Sequence, residues 1–188
     1  SSGALMAAEK RQDVVTFIFF AAITGVGGGT LRDLLIDAPV FWVRDPGYAV
    51  VCTVVAVLVF LTRGRGVHEQ TLLWLDAVGL CVYAVVGAAK ALALGVHPVI
   101  CVVMGALTAT FGGIIRDVLA GEPSILLRRE LYITPAIVSA SVFIVLRIIG
   151  TDWTWASAIA VALGFIVRAG AIAWKWHMPA FRPPDRKP

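Results

Sequence analysis

The sequence has few charged residues and lacks the motifs of the common enzyme classes. Only 15% of its 188 residues are Asp, Glu, Lys or Arg, whereas 59% are hydrophobic. This balance excludes a soluble globular domain, whose water-facing surface needs more charge. The sequence contains no nucleophile elbow, metal-spaced His and Asp set, Walker loop or dinucleotide fingerprint. It therefore does not predict an enzyme, a bound cofactor or a fixed metal ion.

Cysteine is also scarce, and basic residues are too scattered for nucleic acid. The three cysteines, at 52, 81 and 101, all lie inside apolar runs without a CxxC pair, so we interpret them as small buried side chains. Lys and Arg outnumber Asp and Glu by 16 to 12, but they form short clusters between apolar runs. Since no face could follow a phosphate backbone, nucleic acid is not an expected partner. The first residues carry no basic n-region, so no cleavable signal peptide is predicted.

Six apolar runs are long enough to cross a bilayer, which takes about 20 residues. They lie near 14–36, 47–62, 71–93, 97–120, 131–149 and 153–174. Because the linkers between them are short, we expect one transmembrane domain over 1–176. The last stretch, 177–188, is rich in proline and basic residues, which predicts a disordered tail at the cytoplasmic surface.

An internal repeat organises these spans. Shifting the sequence by 84 positions superimposes 28–48 on 112–132 without a gap. Eight positions in that window are identical, namely Gly28/Gly112, Gly29/Gly113, Arg32/Arg116, Asp33/Asp117, Leu35/Leu119, Pro39/Pro123, Arg44/Arg128 and Tyr48/Tyr132. The register extends back to Gly3 and Gly87, which indicates that the chain begins partway through its first span. We therefore expect an all-α polytopic membrane protein of seven helices, with repeat one over 1–62, repeat two over 71–149 and a seventh helix over 153–176.

The two repeats are expected to be inverted, because three helices per repeat make the second copy enter the membrane from the opposite side. Ten loop basic residues fall on one side of the membrane and only Arg44 and Arg147 on the other. The positive-inside rule places the ten-residue side in the cytoplasm. The amino terminus is thus predicted outside and the carboxyl terminus inside.

The second and fifth spans each contain a glycine cluster, Gly27-Gly28-Gly29 and Gly112-Gly113. Glycine costs about 1 kcal/mol in a helix relative to alanine, so these clusters predict a break in each span. Carbonyls freed there could replace part of a cation's hydration shell, which suggests an ion pathway. The alternative is that small residues only let two helices cross closely. Just upstream, at matched positions, Thr24 and Thr108 could add hydroxyls to the path or bond back to a carbonyl.

An Arg-Asp pair follows each glycine cluster, Arg32-Asp33 in the first repeat and Arg116-Asp117 in the second. The inverted topology places the two pairs near opposite membrane faces, where an unpaired charge would be costly. Each arginine is expected to bind an aspartate or the freed carbonyls and so lock the helix. A role beside the ion path is compatible with that pairing.

Lys90 breaks the symmetry of the repeat, since its equivalent is the uncharged Met6. It could bind carbonyls of the broken helices, respond to the membrane field, act as a tethered cation that gates the path, or snorkel to the outer surface. Asp76 lies about four helical turns earlier, too far away to pair with it. Arg147 and Arg168, near helix ends, are expected to snorkel.

Through GVGGGTLRDLL (25–35), FGGIIRDVL (111–119) and the repeat spacing, the whole chain resembles the trimeric intracellular cation (TRIC) channel family, specifically its short prokaryotic members. The resemblance implies a homotrimer in a prokaryotic plasma membrane, each protomer enclosing a path for monovalent cations, mainly potassium, between kinked second and fifth helices. It implies kinks at Gly27, Gly28, Gly29, Gly112 and Gly113, and places Arg32, Asp33, Lys90, Arg116 and Asp117 beside the path. The permeating ion would lie near the kinks, and membrane lipids are expected partners that could include a bound lipid.

Two other function classes stay open. Homologues of this broad group are also labelled glycine transporters, and inverted repeats with discontinuous helices suit alternating access around a midplane site. A secondary transporter of a small solute such as glycine is therefore the main alternative. A non-conducting membrane scaffold is the third, and it leaves the paired glycine motifs without a role.

Overall fold

The computed structural model describes Gly3 and residues 13–62, 69–122 and 131–176. Over these residues the protein is all-α, as predicted, with no strand. Its helices are α1 (Val14–Leu35), α2 (Phe41–Arg44), α3 (Gly47–Leu61), α4 (Glu69–Ala93), α5 (Pro98–Ala120), α6 (Ile133–Ile148) and α7 (Trp153–Trp174). The start of the first predicted span, the linkers 63–68 and 123–130 and the predicted tail lie outside the described residues.

The six predicted spans coincide with α1 and α3 to α7, with ends that agree within two residues. Among the seven predicted helices, α1 is the second. The first is the truncated helix at the start of the chain, to which the helical Gly3 belongs. Four helices are long and apolar enough to cross a membrane, whereas α3 and α6 are apolar but shorter. The short α2 was not predicted, and it lies in the linker between α1 and α3.

Local signals fix where the helices begin and end. Asp13 and Asp152 cap α1 and α7, accepting hydrogen bonds from the backbone N–H of Thr16 at 2.8 Å and of Thr154 at 2.9 Å. His97 caps α5 by accepting a hydrogen bond from the backbone N–H of Val99, and the proline that follows it begins the helix. α5 ends at Gly121, whose φ of 67° is left-handed and favours glycine.

The helices pack around the central pair α1 and α5. α3 packs on α1, whereas α4 and α6 pack on α5, and α7 lies against α4 and α6. Small residues let these helices pack closely. The core cluster formed by α4, α5, α6 and α7 is rich in buried alanine, including Ala88, Ala91, Ala140, Ala156 and Ala160. This arrangement leaves α7 outside the central pair.

The repeat is visible in how equivalent residues pack. Gly3 lies against the Phe20 carbonyl and the Thr24 hydroxyl, and Gly87 lies in the same way against the Met104 carbonyl and the Thr108 hydroxyl. Each pair of equivalents is separated by the 84 positions found in the sequence. The match in backbone packing supports two copies of one three-helix unit.

Candidate functional site

The glycine clusters form a reciprocal crossing between α1 and α5. A Cβ built on Gly28 would overlap the carbonyl oxygen of Thr108, and one built on Gly112 would overlap the carbonyl oxygen of Thr24. These four residues are two pairs of repeat equivalents, so the same contact is made twice in opposite directions. A side chain at either glycine would push backbone against backbone, which explains why these two positions carry glycine.

The predicted loss of helix at the glycines is not observed. Every residue of α1 and α5 is α-helical, including 25–29 and 112–113. The close crossing, which was the alternative expectation, gives the physical reason, since packing against the partner helix offsets the low helix propensity of glycine.

The other three glycines have different surroundings. A Cβ on Gly27 would lie 3.2 Å from the end of the Ile115 side chain, and one on Gly29 would lie 2.6 Å from the ring of Phe41. A Cβ on Gly113 would meet nothing closer than 3.6 Å. Gly113 therefore lies at ordinary contact distance from Tyr132 and Arg116, which line the cavity described next.

Both threonines at the crossing bond back to their own helix. The Thr24 hydroxyl donates to the Phe20 carbonyl at 2.7 Å, and the Thr108 hydroxyl donates to the Met104 carbonyl at 2.6 Å. This was one of the two roles predicted for them. Each hydroxyl oxygen retains lone pairs, and Thr24 is one of the residues that line the cavity described next.

A cavity of about 290 Å³ lies between α1, α3, α4 and α5, on one side of the crossing. Thr24, Gly25 and Gly113 bring it up to the crossing, and Asp76, Arg116 and Tyr132 form its polar end, which begins close to the crossing because Gly113 lies beside Tyr132 and Arg116. Its remaining lining is mostly apolar and consists of Ala21, Val51, Cys52, Val55, Leu75, Gly79, Leu80, Tyr83 and Ala109. A space that contains polar groups, among helices apolar enough to cross a membrane and close to the crossing of two equivalent helices, is a candidate route or binding site for a polar solute.

On the other side of the crossing, a buried charge cluster joins α1 to α4. Asp33, which is 0% exposed, accepts from Arg32 Nε at 2.8 Å and lies 2.8 Å from the ammonium of Lys90 through the same carboxylate oxygen. Its second oxygen accepts from the backbone N–H of Phe41 at 3.0 Å. Of the roles predicted for Lys90, carbonyl binding is replaced by this ion pair, which the sequence did not reveal because the partner lies on another helix.

The second repeat contains the equivalent pair without the lysine. Arg116 donates to one oxygen of Asp117 from Nε at 2.9 Å and from Nη2 at 2.6 Å. The backbone turn is conserved between the repeats, because Asp117 accepts from the N–H of Glu122 at 2.9 Å as Asp33 does from Ala38 at 2.8 Å. The predicted arginine-aspartate pairing is therefore present in both copies, and the lysine makes the two ends chemically different.

Arg168 on α7 was predicted to snorkel, and this prediction is wrong. Its residue is only 1% exposed, its guanidinium donates to the carbonyl of Leu131 at 2.9 Å, and it lies over the ring of Tyr132 at 5.3 Å. Arg147 does reach a helix end, where it bonds the carbonyl of Thr151 and stacks on Trp153. Arg168 instead connects α7 to the end of the cavity, because Tyr132 lines it.

Sequence reasoning missed Asp76, Tyr132 and Cys52 as cavity residues. A signal for the first two existed: a carboxylate inside a predicted span is a functional candidate by default, and Tyr132 was one of the identical repeat positions. Cys52 was interpreted as buried, as Cys81 and Cys101 are, but it is only half-buried and faces the cavity. Nothing local distinguishes it from the other two cysteines.

The fold and the site define a polytopic α-helical membrane protein of two three-helix repeats with a polar-lined cavity. Residues 1–64 and 73–147 match the sequence family described as "Glycine transporter". The chain is 38% identical to the UPF0126 inner membrane protein YadS of Escherichia coli K12, over 96% of this chain and 89% of the relative. A UPF0126 membrane protein of Vibrio cholerae is 35% identical, over 96% of this chain and 77% of the relative. The chain belongs to this family, the prokaryotic TRIC-like membrane proteins, as the resemblance predicted.

Solved structures of TRIC channels share the fold. The TRIC trimeric intracellular cation channel orthologue from Rhodobacter sphaeroides is 46% identical with a TM-score of 0.87, covering 93% of this chain and 91% of that one. A structure reported for conductance through TRIC cation channels is 27% identical with a TM-score of 0.89, covering 97% and 91%. These proteins are ion channels and not enzymes.

Proposed function

We propose that the protein is a potassium-permeable cation channel in which each protomer conducts along the cavity and across the junction of α1 and α5. The observation that carries this proposal is the cavity itself, which extends at membrane depth from a polar end at Asp76 to the glycine crossing. Similarity to TRIC cation channels over nearly the whole chain supports the same activity. A wet route through a bundle needs polar groups at intervals, and Thr24 and Asp76 supply them.

In this proposal the described conformation is a non-conducting one, and the crossing is its constriction. Gly28 against Thr108 and Gly112 against Thr24 leave no room for a side chain between the two backbones. A small separation or rotation of α1 against α5 would open that contact and present carbonyl oxygens to an ion. Such a movement suits glycine positions, because no side chains interlock there.

Lys90 is proposed to act in gating through its ion pair with Asp33. The pair ties the end of α4 to the end of α1, so α1 cannot move away from α4 without breaking it. The side chain of Lys90 is 32% exposed, which allows the ammonium to leave Asp33 for an adjacent wet position. A charge displaced within the membrane couples to its potential by about 2.3 kcal/mol per 100 mV for a full crossing.

The direct test is the reversal potential of purified protein in planar bilayers under a potassium gradient, with sodium and chloride substitution. A current whose reversal potential follows the potassium gradient and does not depend on chloride is expected.

A mutation at Gly79 tests whether this current passes through the cavity, because Gly79 lines the cavity and a Cβ there meets nothing within 4 Å. Gly79→Trp should fill the cavity and remove most of the current, whereas Val78→Trp, on the neighbouring exposed position, should not. Absence of unitary currents from correctly folded wild-type protein would refute the proposal.

A secondary transporter of glycine is the second candidate function, and one observation favours it specifically. The same cavity contains a carboxylate, Asp76, and a guanidinium, Arg116, which together complement the two charges of a zwitterionic amino acid. The family description points the same way. Saturable counterflow of radiolabelled glycine in proteoliposomes, without unitary currents, would select this function over the channel.

We further propose a homotrimer in the bacterial inner membrane, with the amino terminus outside and the carboxyl terminus in the cytoplasm. The name of the E. coli relative and the trimeric channel orthologue support the membrane and the assembly, and the distribution of basic residues supports the orientation. Light scattering of the detergent complex would measure the number of protomers. Labelling of single cysteines from each side of sealed cells would measure the orientation, and lipid mass spectrometry would detect a retained lipid.

A further inference from the structure

Asp76 is a carboxylate placed inside the membrane and turned towards the cavity. It is the fourth residue of the span Leu73–Ala93 and about 10 Å along α4 from Glu69, at 1.5 Å per residue. Among the described residues that line the cavity it is the only carboxylate, and Arg116 is the only other charged one. An ionisable group at this depth needs either a partner or a function.

Within the described part of the chain, no donor makes a hydrogen bond or close ion pair with Asp76. Arg116 lines the same cavity and Arg168 lies over the cavity residue Tyr132, so the charges of both act on Asp76 at longer range. Arg116 already donates twice to Asp117, so much of its charge is compensated locally. The carboxylate oxygens of Asp76 are therefore available to a group in the cavity.

Arg168 approaches this end of the cavity from α7, which belongs to neither repeat. Its guanidinium is held in place by the carbonyl of Leu131 and the ring of Tyr132, and it is almost fully buried. A fixed positive charge behind a carboxylate lowers the affinity of that carboxylate for a cation. Conduction requires such a balance, because an ion must bind well enough to enter and weakly enough to leave.

We propose that the carboxylate of Asp76 is a binding group for a monovalent cation at the end of the cavity, and that the guanidinium of Arg168 weakens its hold so that the ion can leave. Asp76 contacts the ion, whereas Arg168 is a positioning and field-setting residue that does not. The proposal rests on the proposed channel function and adds a named subsite to it. It also gives α7 a role in conduction.

The first test compares unitary conductance of wild type and Asp76→Asn at two salt concentrations. At about 0.01 M KCl the Debye length is about 30 Å, and at about 1 M it is about 3 Å, so a fixed charge matters mainly at low salt. Asp76→Asn should lower the conductance severalfold at low salt and change it little at 1 M. Asp13→Asn is the matched control, since it removes the same charge from an exposed helix cap outside the cavity lining. Equal conductance of wild type and Asp76→Asn at low salt would overturn the proposal.

The second test changes Arg168. Arg168→Gln should raise low-salt conductance or lengthen ion dwell times, the opposite of the effect at Asp76, whereas damage to packing alone would only lower the current. Arg168→Lys keeps the charge and should stay close to wild type, and it serves if the glutamine variant does not fold. A fall in conductance for both folded variants would contradict the role given to Arg168. A conductance of Arg168→Lys clearly different from that of wild type would contradict it as well.

The third test does not depend on conduction. Crystals of the protein grown with Tl⁺ in place of K⁺ should give an anomalous peak within ligand distance of the Asp76 carboxylate, and Asp76→Asn should lose it. A peak in a protein without unitary currents would refute the channel and leave the subsite standing. Currents without a peak, and without a low-salt effect of Asp76→Asn, would refute the subsite and leave the channel standing.

Discussion

The ammonium of Lys90 on α4 lies 2.8 Å from the carboxylate of Asp33 on α1. The same carboxylate oxygen also lies 2.7 Å from Nη2 of Arg32, so one buried acceptor serves two cations. The equivalent pair in the second repeat, Arg116 and Asp117, has no lysine at the matched position because the sequence has Met6 there. The two ends of the bundle are thus built alike and charged differently, which can give an inverted repeat a directional response.

Replacing Lys90 by glutamine should change gating more than folding. Asp33 keeps the charge of Arg32 and the N–H of Phe41, so it is not left as an unpaired buried charge, which would be strongly destabilising. The variant loses the link between α4 and α1, together with the charge on which the membrane field acts in the proposed gating. We expect a shallower dependence of open probability on voltage, measured in single-channel recordings.

Lys175→Gln provides the control for that experiment. Lys175 ends α7 and is exposed, so its replacement removes one positive charge without touching the cluster. Its voltage dependence should match that of the wild type. If the open probability of a conducting Lys90→Gln channel depends on voltage as steeply as that of the wild type, the charge of Lys90 does not contribute to voltage sensing.

Alanine at Gly28 or Gly112 should destabilise the protein strongly, and both should do so to a similar extent. Each new methyl group would overlap a carbonyl oxygen of the partner helix, and backbone cannot move aside as a flexible side chain can. Overpacking of this kind typically costs about 1–3 kcal/mol or more. The expected result is a lower midpoint of thermal unfolding in detergent for both variants.

Gly79→Ala is the matched control, because it is also a glycine inside a helix but has open space where the methyl group would go. It should hold or raise the midpoint, since alanine is the better helix former by about 1 kcal/mol. If Gly28→Ala and Gly79→Ala unfold at the same temperature, the close crossing does not contribute to stability in the way proposed.

The sequence predicted the spans and the repeat well because both depend on local, periodic signals. Apolar runs of bilayer length fix α1, α4, α5 and α7, and the shared Gly and Arg-Asp positions reveal the second copy without any tertiary information. It did not predict the state of the glycine helices. Helix propensity favoured a break at 25–29, and only the reciprocal contact with α5 explains why the helix continues there.

The chemistry of the site was less accessible than the fold. The arginine-aspartate pairs are neighbours in sequence and were predicted, whereas Lys90 and Asp33 are 57 positions apart, 90 minus 33, and meet only because α1 and α4 both pack on α5. Arg168 was misjudged for the same reason. Its place near a helix end predicted an exposed guanidinium, but the residues just before α6, Leu131 and Tyr132, contact it.

The cap of α7 should make stability depend on pH in acid. A hydrogen bond from the backbone of Thr154 holds the pKa of Asp152 below its ordinary value of 3.8. Since the folded pKa lies below the unfolded one, this stabilisation is present above the unfolded pKa and is lost as the pH falls through the folded value. Asp152→Asn still caps the helix without the charge. The difference in unfolding midpoint between wild type and this variant should therefore shrink below about pH 4, and a constant difference would contradict the assignment.

Cys52 should report directly on whether the cavity belongs to the conduction route. Its thiol faces the cavity next to Gly25, whereas Cys81 and Cys101 are 0% exposed. A cationic methanethiosulfonate should react with Cys52 from water, place a fixed positive charge in the cavity and reduce the current. Cys52→Ser should conduct and be insensitive to the reagent, while Cys81→Ser should remain sensitive. A membrane-impermeant cation can reach a thiol at this depth only through water continuous with the bulk, so full current after prolonged treatment of the wild type would mean that ions cross the protein elsewhere.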